Sequence, residues 1–313
     1  MSRLFNLIRN ESMKLAKKRS SWVMMGVLII GIVLVAILSK GTGTGQQIPW
    51  ETQLKQQAGN YQQLLESDGI SERERNYYEE ELAIADYRLN ADIPPLELNS
   101  FEQYLLDSKS VLAFVTLFTV IIGAGIVASE FTWGTIKMLM IRPVRRYKVL
   151  LSKYLTTLIA AVIFAGIAYV ATVISGIFIF PSSEGAYLVV DNGEVVERSI
   201  WTASLFTYGL AFVNLLMMTT FAFMIGTVAR SNALAIGLSI FLMFTGQQVV
   251  YLLSDYDWIK YYLFTHTDMT QYLQPRLIVE GLTVPFSVAV LAVYLVIFLA
   301  VSFFTFTKRD IAT

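Results

Sequence analysis

The chain has 313 residues, of which 55% are hydrophobic, and it carries 24 basic and 24 acidic residues. The absence of cysteine and the presence of a single histidine exclude a disulfide framework, a thiolate metal site and a histidine-cluster metal site. For that reason we expect no metal. A net charge of zero gives no reason to expect a nucleic acid partner either.

Six stretches are long and apolar enough to cross the hydrocarbon core of a bilayer, about 30 Å thick, which takes roughly 20 residues per helix. They are residues 22–38, 111–128, 154–180, 201–228, 233–253 and 284–306. None of these stretches contains a lysine, arginine, aspartate or glutamate. The sequence therefore predicts an all-α integral membrane protein with six transmembrane helices, the first within 21–39 and the other five within 110–313.

The distribution of basic residues between the two sides of the membrane predicts an orientation. The N-terminal segment, the connections after the second and fourth spans and the C-terminal segment together hold fifteen of the 24 basic residues and three of the 24 acidic ones. Because segments rich in lysine and arginine stay in the cytoplasm, we expect both termini there.

The N-terminal segment, residues 1–20, has the pattern of a basic amphipathic helix. One stripe of that helix contains Leu4, Leu7, Ile8, Glu11 and Leu15. Such a helix next to a span lies along the bilayer surface, with its cationic side chains reaching toward phosphates. The same residues could instead serve only to anchor the topology, and both interpretations stay open.

The first outer loop, residues 40–109, is predicted to be an extracellular helical hairpin. A Gly-Thr repeat over 41–45 reads as a flexible linker, helices are expected near 50–67 and 71–90, and Pro94-Pro95 ends the unit. Ser71 and Glu74 have the spacing of a capping box. The expected seam consists of Leu54, Tyr61, Leu65, Tyr78, Leu82, Ala85 and Leu89. This hairpin would be either a lid over the spans or a contact surface for an extracellular ligand.

The outer loop at 254–283 is rich in tyrosine and tryptophan, which favour the membrane interface. We expect a half-immersed helix there, and the pattern assigns no special role to His266.

The cytoplasmic loop at 129–153 combines apolar and cationic side chains. Its apolar members, with Trp133 and Met138 among them, predict a short helix across the membrane face that Pro143 terminates. The cations expected at headgroup level are Arg142, Arg145, Arg146, Lys148 and Lys153. An exposed tryptophan within a charged rim indicates a docking surface for a protein partner, although a basic loop lying on the membrane has the same composition.

The order Glu130…Gly134-Thr135…Leu139…Arg142-Pro143…Arg145…Lys153, placed between the second and third spans, resembles the permeases of ABC-2 type ABC transporters. The N-terminal helix with Glu11 and Lys14, the six spans and the wide outer loop are similar as well. The resemblance thus covers nearly the whole chain. The sequence departs from the commonest pattern at Arg145-Arg146, where a small polar residue often precedes the arginine.

The resemblance implies a role for each of these segments. The loop would contain a coupling helix that fits a groove on a separate ABC ATPase subunit, and the N-terminal helix with Glu11 and Lys14 would be the connecting helix. The coupling residues would be Glu130, Trp133, Gly134, Thr135, Lys137, Met138, Arg142 and Pro143. A second permease copy, either identical or a paralogue, and a bacterial cell membrane are implied as well.

The separate ATPase subunit would supply the energy for transport. The sequence contains no Gly-x-x-x-x-Gly-Lys-Ser/Thr motif, so we expect no Walker A site, no enzymatic activity and no cofactor in this chain, with ATP bound by the ATPase subunit.

Polar residues within the spans are candidates for lining a substrate path, because buried amides in lipid must face protein or a cavity. They are Asn214, Thr219, Thr220, Thr245, Gln247 and Gln248. Hydrogen bonding between helices is the alternative role for these side chains.

Three functions remain open. The resemblance favours the permease of an exporter that moves an amphipathic or hydrophobic compound, such as a peptide antibiotic, out of the cell. A membrane sensor or immunity protein could use the outer hairpin to bind a ligand. A secondary transporter would require charges within the spans, or repeat halves with broken helices.

Overall fold

A computed structural model describes residues 2–41, 49–67, 69–135, 144–229 and 231–308. The helices in these ranges are α1 (Ser2–Lys17), α2 (Arg19–Gly41), α3 (Trp50–Glu66), α4 (Glu72–Ala91), α5 (Phe101–Asp107), α6 (Leu112–Thr132), α7 (Arg146–Ile179), α8 (Ile200–Val228), α9 (Asn232–Leu252), α10 (Leu263–Thr267) and α11 (Val284–Lys308). Short 3-10 turns cover Ser108–Val111, Asp257–Tyr261 and Met269–Leu273. Two strands, β1 (Leu188–Asp191) and β2 (Glu194–Glu197), form an antiparallel pair.

Within the described residues, six helical segments are long and apolar enough to cross a membrane, in agreement with the predicted number of spans. They are α2, α6 together with the α5 segment that precedes it, α7, α8, α9 and α11. Even the 21 residues of α9 reach about 31 Å at 1.5 Å per residue, enough for a core of about 30 Å.

The bounds of α6 and α7 differ most from the prediction. Helix α6 continues to Thr132 rather than ending at 128, and α7 begins at Arg146, eight residues before the predicted start at 154. The apolar run marks where a helix is in hydrocarbon, but the backbone hydrogen bonds continue beyond it. The predicted loop at 129–153 is therefore shorter, and Glu130, Lys148 and Lys153 belong to the helices themselves.

Helix α6 lies at the centre of the bundle and packs against α7, α8 and α9. Its contact with α8 is close: a Cβ built on Gly226 would lie 2.1 Å from the carbonyl oxygen of Ala124. Small residues allow spanning helices to approach at backbone distance, where van der Waals contacts hold them together. Helices α2 and α11 lie at the periphery and expose rows of large apolar side chains, as a lipid-facing surface requires.

We call one end of the bundle the basic end, because α1 and its lysines lie there. Contacts between α6 and α9, and between α7 and α11, close this end: Thr132 Oγ1 accepts from the Asn232 amide at 3.0 Å, and Arg146 donates to the Thr307 carbonyl at 3.3 Å. The opposite end, which carries α3 and α4, is the hairpin end.

The helical hairpin of α3 and α4 has nearly the predicted bounds. Ser71 forms both hydrogen bonds of a capping box with Glu74, so the local sequence signal is confirmed. Along the seam, the rings of Tyr61 and Tyr78 stack with centroids 5.7 Å apart, and Leu54 and Ala85 are buried. Residues 42–45 of the predicted linker lie outside the described part of the chain.

Two arginines of α4 fasten this hairpin to the rest of the hairpin end. Arg73 donates to the Tyr272 carbonyl at 2.6 Å and stacks over the Tyr272 ring. Arg88, which is buried, donates to the carbonyls of Pro94 and Ala186, both at 2.7 Å. The helical hairpin is therefore held against the segments that join the spans.

The β-hairpin at 188–197 was not anticipated, although its sequence carries a recognisable signal. Asn192 and Gly193 have φ angles of 53° and 84°, the positive values that a two-residue turn of this kind requires. An Asn-Gly pair between two Val-Val pairs is a hairpin signal.

The aromatic segment at 254–283, for which helix was predicted, contains three short helical pieces rather than one continuous helix. His266 is fully buried at the centre of this segment, between Ser287 Oγ at 2.6 Å and the Lys260 carbonyl at 2.7 Å. Burial lowers the pKa of His266, although the bond to Lys260 acts in the opposite direction. The imidazole therefore stays neutral at pH 7.

Candidate functional site

The amphipathic helix α1 brings a carboxylate into the protein interior. Its apolar stripe packs against α7, and Glu11 lies within that stripe with 8% of its surface exposed. A carboxylate in such a place requires a positive partner, because desolvating an unpaired charge is costly. The partner comes from α7.

Lys153 joins α1 to α6. Its Nζ donates to Glu11 Oε2 at 2.7 Å and to Glu130 Oε1 at 3.0 Å, and the side chain is only 1% exposed. Lys14 completes the group: its Nζ lies 2.6 Å from Glu11 Oε1 and 3.8 Å from Glu130 Oε1. We call Glu11, Lys14, Glu130 and Lys153 the charge cluster; its two carboxylates and two ammonium groups balance.

The Glu11 carboxylate of the charge cluster is ionised at neutral pH. Burial acts to raise the pKa of Glu11, but Lys153 and Lys14 together outweigh it and hold that pKa below its usual range. A buried cluster of this kind adds little net stability compared with apolar side chains, yet losing one partner costs about 3–5 kcal/mol. Its effect is thus to enforce one arrangement of three helices.

The depth of the cluster follows from the sequence of α7. Lys153 is the eighth residue of this helix and directly precedes the uncharged apolar run that begins at Tyr154. In a bilayer whose hydrocarbon core covers that run, the charge cluster lies at the boundary of the hydrocarbon. The expectation that Lys153 reaches the headgroups from a loop is wrong, because the residue belongs to α7 and its ammonium group is buried between two carboxylates.

The cluster extends into the loop that follows α6. Thr135 Oγ1 donates to Glu130 Oε2, which turns the beginning of the loop back onto the helix. Gly134 has a φ of 71°, a left-handed conformation that glycine adopts without steric cost at a helix C-terminus. Trp133, which directly precedes Gly134, is 68% exposed at the rim of the basic end.

The structure thus brings together several residues that the sequence singled out separately. Lys153 joins Glu11 of the N-terminal helix, which is paired with Lys14, to Glu130 at the end of α6. Glu130 in turn accepts a hydrogen bond from Thr135 of the loop. The other residues predicted for the loop, namely Lys137, Met138, Arg142 and Pro143, lie outside the described residues.

The polar residues of the spans separate into two groups. Asn214 and Gln247 line a cavity of about 340 Å³ between α6, α8 and α9 towards the hairpin end, together with Met218 and Met243. Gln248 is exposed on α9.

The threonines of the spans are occupied within the bundle. Thr219 Oγ1 donates to Thr119 Oγ1 at 2.9 Å, and Thr220 lies 3.0 Å from the Tyr154 hydroxyl, so both join neighbouring helices. Thr245 donates to the Phe241 carbonyl of its own helix at 2.8 Å. Across the described ranges, no three histidine or acidic side chains come together as a metal site would need.

The six apolar helices and their packing define a multi-pass membrane protein. Residues 84–312 match the family described as "Protein of unknown function (DUF2705)", and the chain belongs to this family. It is 35% identical to a Bacillus subtilis (strain 168) protein described as "Uncharacterized protein YhcI", over 99% of this chain and 100% of that protein. It is 28% identical to "Uncharacterized membrane protein YdbK" of the same strain, over 68% of this chain and 84% of that protein.

Proposed function

We propose that this chain is the permease subunit of an ABC-2 type exporter, driven by a separate ABC ATPase subunit and paired with a second permease. In this proposal both termini are in the cytoplasm of a bacterial cell, and the substrate is an amphipathic or hydrophobic compound such as a peptide antibiotic. The observation that carries the proposal is the charge cluster, which joins three helices beside an exposed tryptophan.

A permease that is driven by a separate ATPase subunit needs a rigid connection between the surface on which that subunit docks and the spans. The ion pairs of Lys153 hold α1, α6 and α7 together at the point where the loop begins. A force applied to the loop would therefore move all three helices as one body, the kind of rigid-body motion that alternating access uses.

The surface beside this connection suits a protein partner. Trp133 is 68% exposed, next to the lysines of α1, and aromatic side chains on a charged rim are common where proteins bind one another. The sequence contains no Walker A motif, so in this proposal the partner binds and hydrolyses ATP. The basic residues concentrated at this end support a cytoplasmic location for it.

The lining of the cavity that contains Asn214 and Gln247 supports the proposal that the substrate is amphipathic. Two amides supply hydrogen bonds, while Met218 and Met243 supply a flexible apolar surface.

The test is purification of the tagged chain from its native membrane in mild detergent, with ATPase activity assayed and co-purifying chains identified. We expect a stoichiometric ATPase subunit. Trp133→Ala should weaken its binding by about thirtyfold, the effect of a typical hot-spot residue. Trp258→Ala is the matched control, since Trp258 is also exposed but lies in the 254–283 segment at the hairpin end.

A second variant distinguishes binding of the ATPase from the coupling of its activity to the spans. Glu130→Gln removes one charge of the cluster without altering Trp133, so the ATPase should still bind while substrate-stimulated hydrolysis falls. If the chain purifies alone under conditions that preserve other membrane complexes, or if Trp133→Ala behaves as Trp258→Ala does, the permease proposal is wrong.

The sensor or immunity hypothesis has one observation in its favour. Arg73 and Arg88 fix the helical hairpin onto the hairpin end, so a ligand that binds the hairpin would act on the connections between spans. Ligand binding by a chain that purifies without an ATPase would favour this function.

A secondary transporter would require charges in the middle of the membrane, whereas the charge cluster lies at the boundary of the hydrocarbon. Its position therefore favours a mechanical rather than a proton-carrying role.

A further inference from the structure

A cavity of about 490 Å³ opens at the basic end between α1, α2 and α6. Its mouth is formed by Lys14, Lys17 and Lys18, and its deeper wall is apolar, with Met24, Ile121 and Ile122 among the lining residues. The charge cluster forms its remaining polar side. The cavity therefore has a cationic entrance above an apolar interior.

The charges of the lining do not balance. Among the residues that the structure describes, four lysines and two glutamates face the cavity, which leaves an excess of two positive charges in this part of the lining. Glu11 and Glu130 are already paired with Lys153 and Lys14. Lys17 and Lys18 are exposed, and neither side chain has an ion pair or hydrogen bond within the ranges that the structure describes.

The apolar interior continues past this cavity. A second cavity of about 240 Å³ shares Leu15, Ser21 and Ile122 with it and is lined further by apolar side chains of α7, including Ile159 and Phe164. Both cavities are lined by apolar side chains of helices that are long and apolar enough to cross a membrane. Trp22, whose indole donates to the Ala16 carbonyl at 2.7 Å, stands at the same level, as interfacial tryptophans do.

We propose that this cavity is a binding site for one anionic phospholipid of the leaflet at the basic end. The phosphate lies between Lys17 and Lys18, and an acyl chain follows the wall of Ile121 and Ile122. Charge selects the headgroup, because an anionic lipid satisfies the excess of positive charge. The apolar wall distinguishes the lipid from a free phosphate, which would leave that wall without a partner.

A lipid bound in this cavity lies next to the charge cluster. Lys14, Glu11, Glu130 and Lys153 border the same cavity, so a bound phosphate lies close to the ion pairs that join α1, α6 and α7. Occupancy therefore stabilises the docking of α1 on the bundle. The site does not depend on the proposed function, since it needs only the folded chain and a bilayer.

The experiment is a titration of the purified, delipidated full chain with phosphatidylglycerol and, separately, with phosphatidylcholine of the same acyl chains, followed by native mass spectrometry. We expect the first phosphatidylglycerol to bind more tightly than phosphatidylcholine. Lys17→Gln/Lys18→Gln should weaken phosphatidylglycerol binding by about thirtyfold at low salt, since each lysine contributes about fivefold near an anionic headgroup. Arg9→Gln, an exposed cation of α1 that does not line the cavity, should leave it unchanged.

A second variant keeps the test independent of the lysines. Ile121→Trp fills the apolar wall and should weaken the binding of phosphatidylglycerol severalfold, with the lysines intact. Equal affinities for the two lipids, or wild-type affinity in the double lysine variant, would overturn the proposal. Displacement of phosphatidylglycerol by equimolar glycerol phosphate would also overturn it, because the site would then bind free anions.

Discussion

Replacing Lys153 by methionine tests the charge cluster directly. The substitution keeps most of the side-chain volume and removes the one ammonium group that both glutamates share. With Lys153 only 1% exposed, removing a partner from such a buried group costs about 3–5 kcal/mol. Lys14 remains 2.6 Å from Glu11 and 3.8 Å from Glu130, so we expect the lower end, about 3 kcal/mol.

The assay is reversible unfolding in mixed micelles, followed by circular dichroism, with Lys148→Met as the matched control. Lys148 lies in the same first turns of α7 but outside the cluster, so its loss should cost less than about 0.5 kcal/mol. Adding Glu11→Gln and Glu130→Gln to Lys153→Met should recover at least half of the lost stability, because no buried carboxylate is then left unpaired.

The pH dependence gives an independent check with a defined sign. In the wild type, Lys153 and Lys14 hold the pKa of Glu11 below its ordinary value of 4.5 against the effect of burial, so its stabilising contribution is complete above that pH and is lost as the pH falls through the lowered pKa. Without Lys153, burial is opposed only by Lys14, so the pKa of Glu11 should rise relative to the wild type and the deficit of Lys153→Met should shrink as the pH falls. If Lys153→Met is as stable as Lys148→Met, the cluster does not hold the helices together.

Three further predictions concern other parts of the fold. Gly226→Ala should destabilise the protein by about 1–3 kcal/mol in the same assay, because its Cβ would meet the Ala124 carbonyl at 2.1 Å, whereas Gly209→Ala on the same helix meets nothing within 4 Å and should be tolerated. Arg88→Ala should leave two partly buried carbonyls without their guanidinium donor and speed hydrogen exchange in residues 181–199 at least tenfold, for a loss of about 1–3 kcal/mol. The pKa of His266 is lowered below its ordinary 6.5 by burial, so the unfolded chain binds more protons and stability should fall as the pH drops below 6.5; His266→Gln should abolish this component of the pH dependence.

A specific result would contradict each of these three predictions. Equal stability of Gly226→Ala and Gly209→Ala would mean that α6 and α8 can separate freely at that contact. An unchanged rate of hydrogen exchange in residues 181–199 of the Arg88→Ala variant would show that other contacts hold this segment in place. A pH profile of the wild type that matches that of His266→Gln would show that His266 titrates alike in the folded and unfolded chain.

The sequence by itself determined the class of protein and much of the secondary structure. Each apolar run is long enough to cross a bilayer, and a chain in hydrocarbon must satisfy its backbone hydrogen bonds within helices, so the number of spans can be read directly. The helical hairpin was equally readable, because Ser71 and Glu74 cap α4 through contacts three residues apart. The turn at Asn192-Gly193 carried a local signal of the same kind.

The charge cluster was decided by the tertiary structure alone. Lys153 is separated from Glu11 by 142 residues and from Glu130 by 23, so no local pattern distinguishes it from a lysine that reaches toward phosphates. The roles of the polar residues in the spans were equally hidden: Thr219 hydrogen-bonds to Thr119 while Asn214 lines a cavity, although both lie on α8. Local hydrogen bonding and hydrophobicity act over a few residues and can be read along the chain, whereas the burial of a charge depends on which distant side chains packing brings within about 3 Å.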